Sequence, residues 1–282
     1  MKNIYYILLG HLKTPQYIFK NIWWRINSSI SKEKLIFVIG TPRSGTTLLQ
    51  KILESHNSLY SIHSETAIFS FRNFFNPKRN LFMLEDTVKN SILKVSKDNI
   101  DFFSRCVNYL NQHNKGKVFV EKTPQHIIHL SFLIKHFPNA QFVHILRDGR
   151  DSYCSALKHG NIPQSSSIKR FSKYYNKCLN QGIINYDYKR LYTIKYELLA
   201  QNPKLEIEKL MSFLNLEFEN QQLDYRLRSE DKRAKREVFK KLNEPINTAS
   251  IGKWKKQLTK DEKTSFNRYA QKALEFFGYS LN

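Results

Sequence analysis

The sequence predicts an α/β fold, a P-loop-like parallel β-sheet flanked by α-helices. Three observations carry that reading. Short apolar runs rich in β-formers alternate with helical stretches, the pattern of a parallel sheet with crossovers. The first such run, residues 34–39 (KLIFVI), passes straight into a glycine-containing turn and then a helix. No apolar run reaches the roughly 18 residues that a membrane-spanning helix needs.

Residues 1–32 hold five basic residues and no acidic one. Ile18, Ile22 and Ile26 repeat at i+4, as do Phe19 and Trp23, which suits one helix face. With Trp23 and Trp24 the segment reads as a helix packed on the domain or as one lying on a membrane surface. Residues 1–33 are therefore set apart from one domain over 34–282. The apolar run 4–9 is too short to span, and no small-residue cleavage pattern follows it.

Residues 34–39 read as a buried strand ended by Gly40, and 46–55 as a helix. Helices are expected at 66–75, 86–95 and 101–113. A second strand falls at 118–121. Pro124 opens a helix to about residue 137, because proline suits a first turn. A third strand, 141–146 (QFVHIL), leads into a helix at 150–158. A fourth, 191–196 (LYTIKY), is followed by helices at 203–214 and 260–277. Residues 226–241 hold eight basic and three acidic residues, the composition of a solvated helix or a loop.

Across 282 residues, 46 Lys+Arg against 24 Asp+Glu leave a formal charge of +22. An excess of that size points to anionic partners: nucleic acid, anionic lipid, an acidic polymer or a polyphosphate cofactor. Hydrophobic residues at 41% and aromatic residues at 13% exclude a wholly disordered chain, and 9 Gly with 8 Pro exclude a collagen-like one. Cys106, Cys154 and Cys178 are odd in number and widely spaced. They fit neither a disulfide framework nor a CxxC metal site, and they favour a reducing compartment.

Residues 40–47 read GTPRSGTT, between strand and helix. The turn presents backbone N–H groups at a helix N-terminus, where the helix dipole favours an anion. Pro42 has no N–H, so the donors are Arg43, Ser44, Gly45, Thr46 and Thr47. Thr46 and Thr47 add hydroxyls, and Arg43 adds a fixed guanidinium fork. The lysine of a nucleotidase P-loop is replaced by Thr46, and QFVHIL ends in Arg147 where a metal-binding aspartate would stand. A magnesium-dependent phosphoryl transferase thus lacks two of its usual parts. Arg147 lies at a strand's carboxyl end, where doubly wound sheets bind ligands. Ser155 follows about two helical turns on. The pair can clamp a second phosphate.

Together, TPRSGTTLL after one strand and FVHILRDGRDSYCSAL after another resemble sulfotransferases that use 3′-phosphoadenosine 5′-phosphosulfate (PAPS), in the group containing tyrosylprotein sulfotransferases and many bacterial members. The resemblance spans about residues 35–277. It implies a metal-independent enzyme in which Arg43, Ser44, Gly45, Thr46 and Thr47 hold the 5′-phosphosulfate while Arg147 and Ser155 hold the 3′-phosphate. Glu121-Lys122-Thr123-Pro124, Tyr196-Glu197-Leu198-Leu199 and Gly252-Lys253-Trp254 match more weakly. The last resembles a segment that closes over the cofactor, with Lys253 a cofactor contact. A serine of the tyrosylprotein group is Gly252 here, with Ser250 nearby. Sulfuryl transfer is an in-line displacement governed by positioning and charge stabilisation. Arg43 and Lys122 are candidates for stabilising that charge.

Glu65 matches the catalytic glutamate of tyrosylprotein sulfotransferases and is the first candidate for the base that takes the acceptor hydroxyl's proton. Glu121 is the rival, because heparan N-sulfotransferases carry a glutamate in a similar EKS motif. His63 is a third, because the aryl and steroid branch uses a histidine. The acceptor stays open among a sugar, a glycolipid, a tyrosine and a small alcohol. A P-loop kinase and a basic module binding an acidic polymer are the alternative functions. No nucleic-acid partner is expected on the sulfotransferase reading. The expected location is cytoplasmic, with peripheral contact at the inner membrane face through the N-terminal segment.

Overall fold

The computed structural model describes residues 19, 22–24, 29–70, 82–159, 162–184, 188–225 and 244–281. Five strands form one parallel sheet in the order β2-β3-β1-β4-β5. They are β1 (Leu35–Gly40), β2 (Leu59–Ser61), β3 (Val118–Lys122), β4 (Gln141–Leu146) and β5 (Leu191–Lys195). The helices are α1 (Thr46–Glu54), α2 (Asp86–Val95), α3 (Asn99–His113), α4 (Leu130–His136), α5 (Gly149–His159), α6 (Ile168–Leu179), α7 (Tyr196–Gln201), α8 (Pro203–Leu214), α9 (Trp254–Gln257) and α10 (Lys260–Phe276). This is the parallel α/β architecture expected from the alternation of runs.

The central strand is buried on both faces, and its period of two divides the core. Leu35, Phe37 and Ile39 pack into one apolar layer with Phe103 of α3, Phe171 of α6 and Phe266 of α10. Ile36 and Val38 face the other, with Leu49 and Ile52 of α1 and Ile207 and Leu210 of α8. Phe37 stacks on Phe142 at 5.3 Å and meets Phe137 edge-on at 5.2 Å. Full burial of one such side chain contributes about 1.5–3 kcal/mol. Helices α1 and α5 thus leave opposite faces of the sheet, from the adjacent strands β1 and β4. Gly40 pairs with Ile145 at the carboxyl end of those two strands. The chain diverges at that point and opens a crevice, as doubly wound sheets do.

Several expectations shift. Strand β2 was not foreseen, since three residues give too little pattern to detect. Tyr196, expected to end the fourth strand, opens α7. The helix expected over 124–137 begins as a tighter 3₁₀ stretch, Pro124–His129, before α4. Of the helix expected at 66–75, Thr66 and Ala67 are irregular and Ile68–Ser70 is a 3₁₀ turn, while 71–75 lie outside the described residues. Helix α6 was not anticipated, although Ser167 caps it by accepting the Arg170 N–H, and Phe171, Tyr175 and Cys178 mark its buried stripe. The basic run 226–241 lies outside the described residues, as does most of 1–33. In the described part, Trp24 is buried beside Phe102, and Ser29 donates to Asp98 through both its N–H (2.8 Å) and its hydroxyl (2.6 Å). Ser31 donates its N–H to the His136 carbonyl at 2.8 Å. No described helix is long and apolar enough to cross a membrane.

His144 in β4 is fully buried, its Nδ1 3.3 Å from the Thr193 hydroxyl, and burial pushes its pKa down to about 3. The native state therefore refuses a proton that the unfolded chain accepts near pH 6.5. Stability from this residue is complete above pH 6.5 and is lost as pH falls toward 3, at about 1.4 kcal/mol per pH unit. His144→Gln should flatten that part of the acid slope. Thermal melts of both proteins between pH 7 and 4.5 check it, and parallel slopes refute it.

Candidate active site

The crevice at the carboxyl ends of β1 and β4 opens into a cavity of about 630 Å³. Four of the segments that line it carry polar side chains singled out by sequence. The turn after β1 supplies Arg43, Gly45, Thr46 and Thr47. The start of α5 supplies Arg147, Asp151 and Ser155. The segment after β2 supplies Glu65, and the chain before α9 supplies Ser250 and Lys253.

The first turn is built for an anion. The Ser44 N–H bonds the Thr41 carbonyl at 3.2 Å and closes the loop. The first bond inside α1 runs from the Leu49 N–H to the Gly45 carbonyl, at 3.0 Å. The N–H groups of Thr46, Thr47 and Leu48 precede that bond and have no helical acceptor. No side chain caps the helix, and its first turn holds no acid. Gly45 has φ of 108°, and a Cβ there would fall 2.9 Å from the Tyr196 ring. Arg43 is a non-glycine residue at φ of 67°, a strained conformation of the kind that collects at functional sites.

The second segment closes on the first. Arg43 Nε donates to Ser155 Oγ at 3.2 Å. Arg147 donates from Nη1 to the Arg43 carbonyl (3.1 Å) and from Nη2 to the Ser250 carbonyl (2.6 Å). Its guanidinium lies over the Tyr196 ring at 4.5 Å. The sequence motifs signalled both arginines but not Tyr196 as the floor beneath one of them. Burial lowers the Arg43 pKa, and the neighbouring Arg147 charge adds to that. Two buried hydrogen-bonding atoms, Arg147 Nε and Ser44 Oγ, have no partner among the described residues.

Asp151, not singled out in the sequence, fixes the C-terminal wall. Its carboxylate accepts the N–H groups of Gly252 (2.7 Å) and Trp254 (3.0 Å), which brackets Lys253 at the cavity. Burial raises the Asp151 pKa against the pull of those two bonds. Trp254 then lies under the Arg150 guanidinium at 3.7 Å, and Arg150 is paired with Asp148 at 2.8 Å.

The carboxylate candidates separate clearly. Glu65 lines the cavity, and Lys122 donates to it at 2.6 Å. Lys122 itself is nearly buried and stands behind Glu65 at the end of β3. Glu121 is buried away from the cavity, and His63 is exposed, 4.0 Å from Glu54. Arg43, Arg147, Lys158 and Lys253 line the cavity, as does Glu65 with Lys122 paired behind it. That arrangement can bind a ligand with anionic groups at two points and place a proton acceptor beside it.

Comparison with known proteins fits this geometry. A family model described as "Sulfotransferase family" matches residues 36–220. A protein-tyrosine sulfotransferase of Drosophila melanogaster is 27% identical over 267 residues, which is 84% of this chain and 50% of that one. An uncharacterised Aquifex aeolicus protein is 24% identical over 83% of this chain and 30% of its own length. The chain thus spans half or less of these two relatives. Among solved structures, the sulfotransferase domain of a Synechococcus olefin synthase superposes with a TM-score of 0.67 at 17% identity, covering 92% of this chain and 99% of that one. A mouse sulfotransferase complexed with PAP superposes at 0.53 and 14% identity, covering 90% and 91%.

Two glycine substitutions separate backbone strain from crowding. Both Gly45 and Gly252 adopt positive φ, but only Gly45 has a neighbour within 4 Å of a Cβ. Gly252→Ala should cost about 1–2 kcal/mol of stability, the left-handed penalty alone. Gly45→Ala should cost clearly more. Denaturant unfolding of both variants measures the difference, and equal losses would show that Tyr196 yields freely.

Proposed function

This chain belongs to the sulfotransferase family, and from that premise we propose that it transfers the sulfuryl group of PAPS to a hydroxyl acceptor. The observation that carries the reading is the Arg43–Ser155 hydrogen bond at 3.2 Å, which joins two anion-binding segments 112 residues apart in the chain. PAPS carries phosphate-type anions at two positions, and ADP lacks the 3′-phosphate. A built second anion position is what distinguishes a site for the first from a site for the second. The buried Arg147 Nε without a partner among the described residues, on a side chain that lines the cavity, fits such a ligand. The PAP complex of the mouse neighbour supports the same donor.

In this reading Arg43, Ser44, Gly45, Thr46 and Thr47 hold the 5′-phosphosulfate, Arg147 and Ser155 hold the 3′-phosphate, and Lys253 closes the site from the C-terminal side. PAPS supplies an activated sulfuryl group when bound. Glu65 accepts the proton of the acceptor hydroxyl. Lys122 orients that carboxylate, and with Arg43 it offsets the negative charge that develops during transfer. Arginine and lysine side chains supply the cationic field that magnesium gives a kinase, so the transfer is read as metal-independent. The acceptor is a sugar, a glycolipid, a tyrosine or a small alcohol, and the name of the Drosophila relative makes a tyrosine peptide the first to try. A cytoplasmic location goes with this reading, supported by three free, buried cysteines.

The test titrates 3′,5′-adenosine bisphosphate, with ADP alongside, into the wild type and Arg147→Ala while following thermal unfolding. A hundredfold excess over Kd should add about 2.7 kcal/mol to the wild type, much less with ADP, and little to the variant. Equal shifts with ADP would favour a kinase-type nucleotide site. Glu65→Gln should leave bisphosphate binding intact and slow release of ³⁵S-sulfate from labelled PAPS, with water as acceptor, by about 10²–10⁴-fold. An unchanged rate would remove Glu65 as the base.

A further inference from the structure

We infer that Glu121, the rival base in the sequence, is a positioning residue that holds Glu65 against Lys122. The inference rests on the sulfotransferase reading for its catalytic meaning but on geometry for its content. Glu65 lies in a segment with no helix or strand to hold it, between β2 and the 3₁₀ turn at Ile68–Ser70. Its side chain is 42% exposed. What fixes the segment is the pair of residues that follow it. Thr66 Oγ1 donates to Glu121 Oε1 at 2.7 Å, and the Ala67 N–H donates to Thr123 Oγ1 at 3.0 Å. Thr123 Oγ1 in turn donates to the same Glu121 oxygen at 2.6 Å. The other oxygen, Oε2, takes His126 Nδ1 at 3.1 Å. A carboxylate only accepts, so Nδ1 carries the hydrogen.

Glu121, Thr66, Thr123 and His126 are all buried, and the His126 ring is flanked by Phe37 and Phe69. Burying a carboxylate in such a place is costly, and an apolar side chain of similar size would serve packing at least as well. Burial alone would raise the Glu121 pKa, but His126 and the two hydroxyls outweigh it and hold the group ionised. The ionised form is the one that can accept all three donors at once. Its neighbours in sequence explain the use. Glu121 precedes Lys122 at the end of β3, and its partner Thr66 follows Glu65. One buried carboxylate therefore locks together the two backbones that carry the 2.6 Å pair. Ala67, a non-glycine residue at φ of 47°, is kept in that conformation by the same bonds.

The test uses Thr66→Val, which removes the hydroxyl and keeps the shape, with Thr66→Ser as the conservative restoration. Hydrogen exchange is followed over residues 62–68 and over the phosphate loop, together with bisphosphate affinity and ³⁵S-sulfate release from PAPS. Thr66→Val should speed exchange in 62–68 and lower kcat, each about tenfold, the worth of one hydrogen bond. The phosphate loop and the bisphosphate Kd should stay unchanged, and Thr66→Ser should return both altered values to near wild type. Unaltered exchange would overturn the inference. So would a loosened segment with an unchanged kcat, or a kcat loss matched by loss of bisphosphate binding. If the wild type neither binds the bisphosphate nor releases sulfate, the parent reading falls, and the exchange result alone decides whether Glu121 holds the segment.

Discussion

The parallel pairing of β1 with β4, ending at Gly40 opposite Ile145, is the constraint on which the rest depends. It sets two strand-to-helix turns side by side and sends their helices to opposite faces of the sheet. Gly40 is required at the junction, because a Cβ there would fall 2.6 Å from Ser44 Oγ and 2.9 Å from the Ile145 carbonyl. With that contact made, Arg43 reaches Ser155 and Arg147 reaches the carbonyl of Arg43. The core on either face, centred on Phe37 and on Val38, fixes the strands and so fixes the crevice.

The cost of the site is electrostatic. Two guanidinium groups lie close enough for each to feel the other's charge, in surroundings that solvate neither fully. Neutral and aromatic partners relieve it: the carbonyls of Arg43 and Ser250 and the face of Tyr196. None of these cancels charge. Asp151, the nearest carboxylate on α5, is instead committed to the backbone N–H groups of Gly252 and Trp254. Asp151 still feels the Arg147 charge, so the positive potential at the cavity is reduced but not neutralised.

The two carboxylates stand in opposite environments. Glu65 is partly exposed, on an irregular segment and paired to a lysine. Glu121 is enclosed, with both oxygens engaged by the protein itself. A proton acceptor must be reachable by its substrate, whereas a positioning group works best where nothing else can reach it. Of the two, only Glu65 meets the first condition.

The sequence by itself determined the strand–turn–helix units and the donor-rich character of two of them, because N–H groups, hydroxyls and an arginine on consecutive residues need no distant partner to be read. It also placed the four longer strands to within one residue at either end, as short runs rich in β-formers bounded by turns and helices. Tertiary structure decided the rest. It selected Glu65 over Glu121 and His63 for the cavity wall, and it brought in Tyr196 and Asp151. It also gave the three-residue β2 a place at the sheet edge. Each of these depends on contacts between segments tens to a hundred residues apart. A carboxylate reads the same in sequence whether it faces a cavity or a ring of buried donors, and only the packing around it tells the two apart.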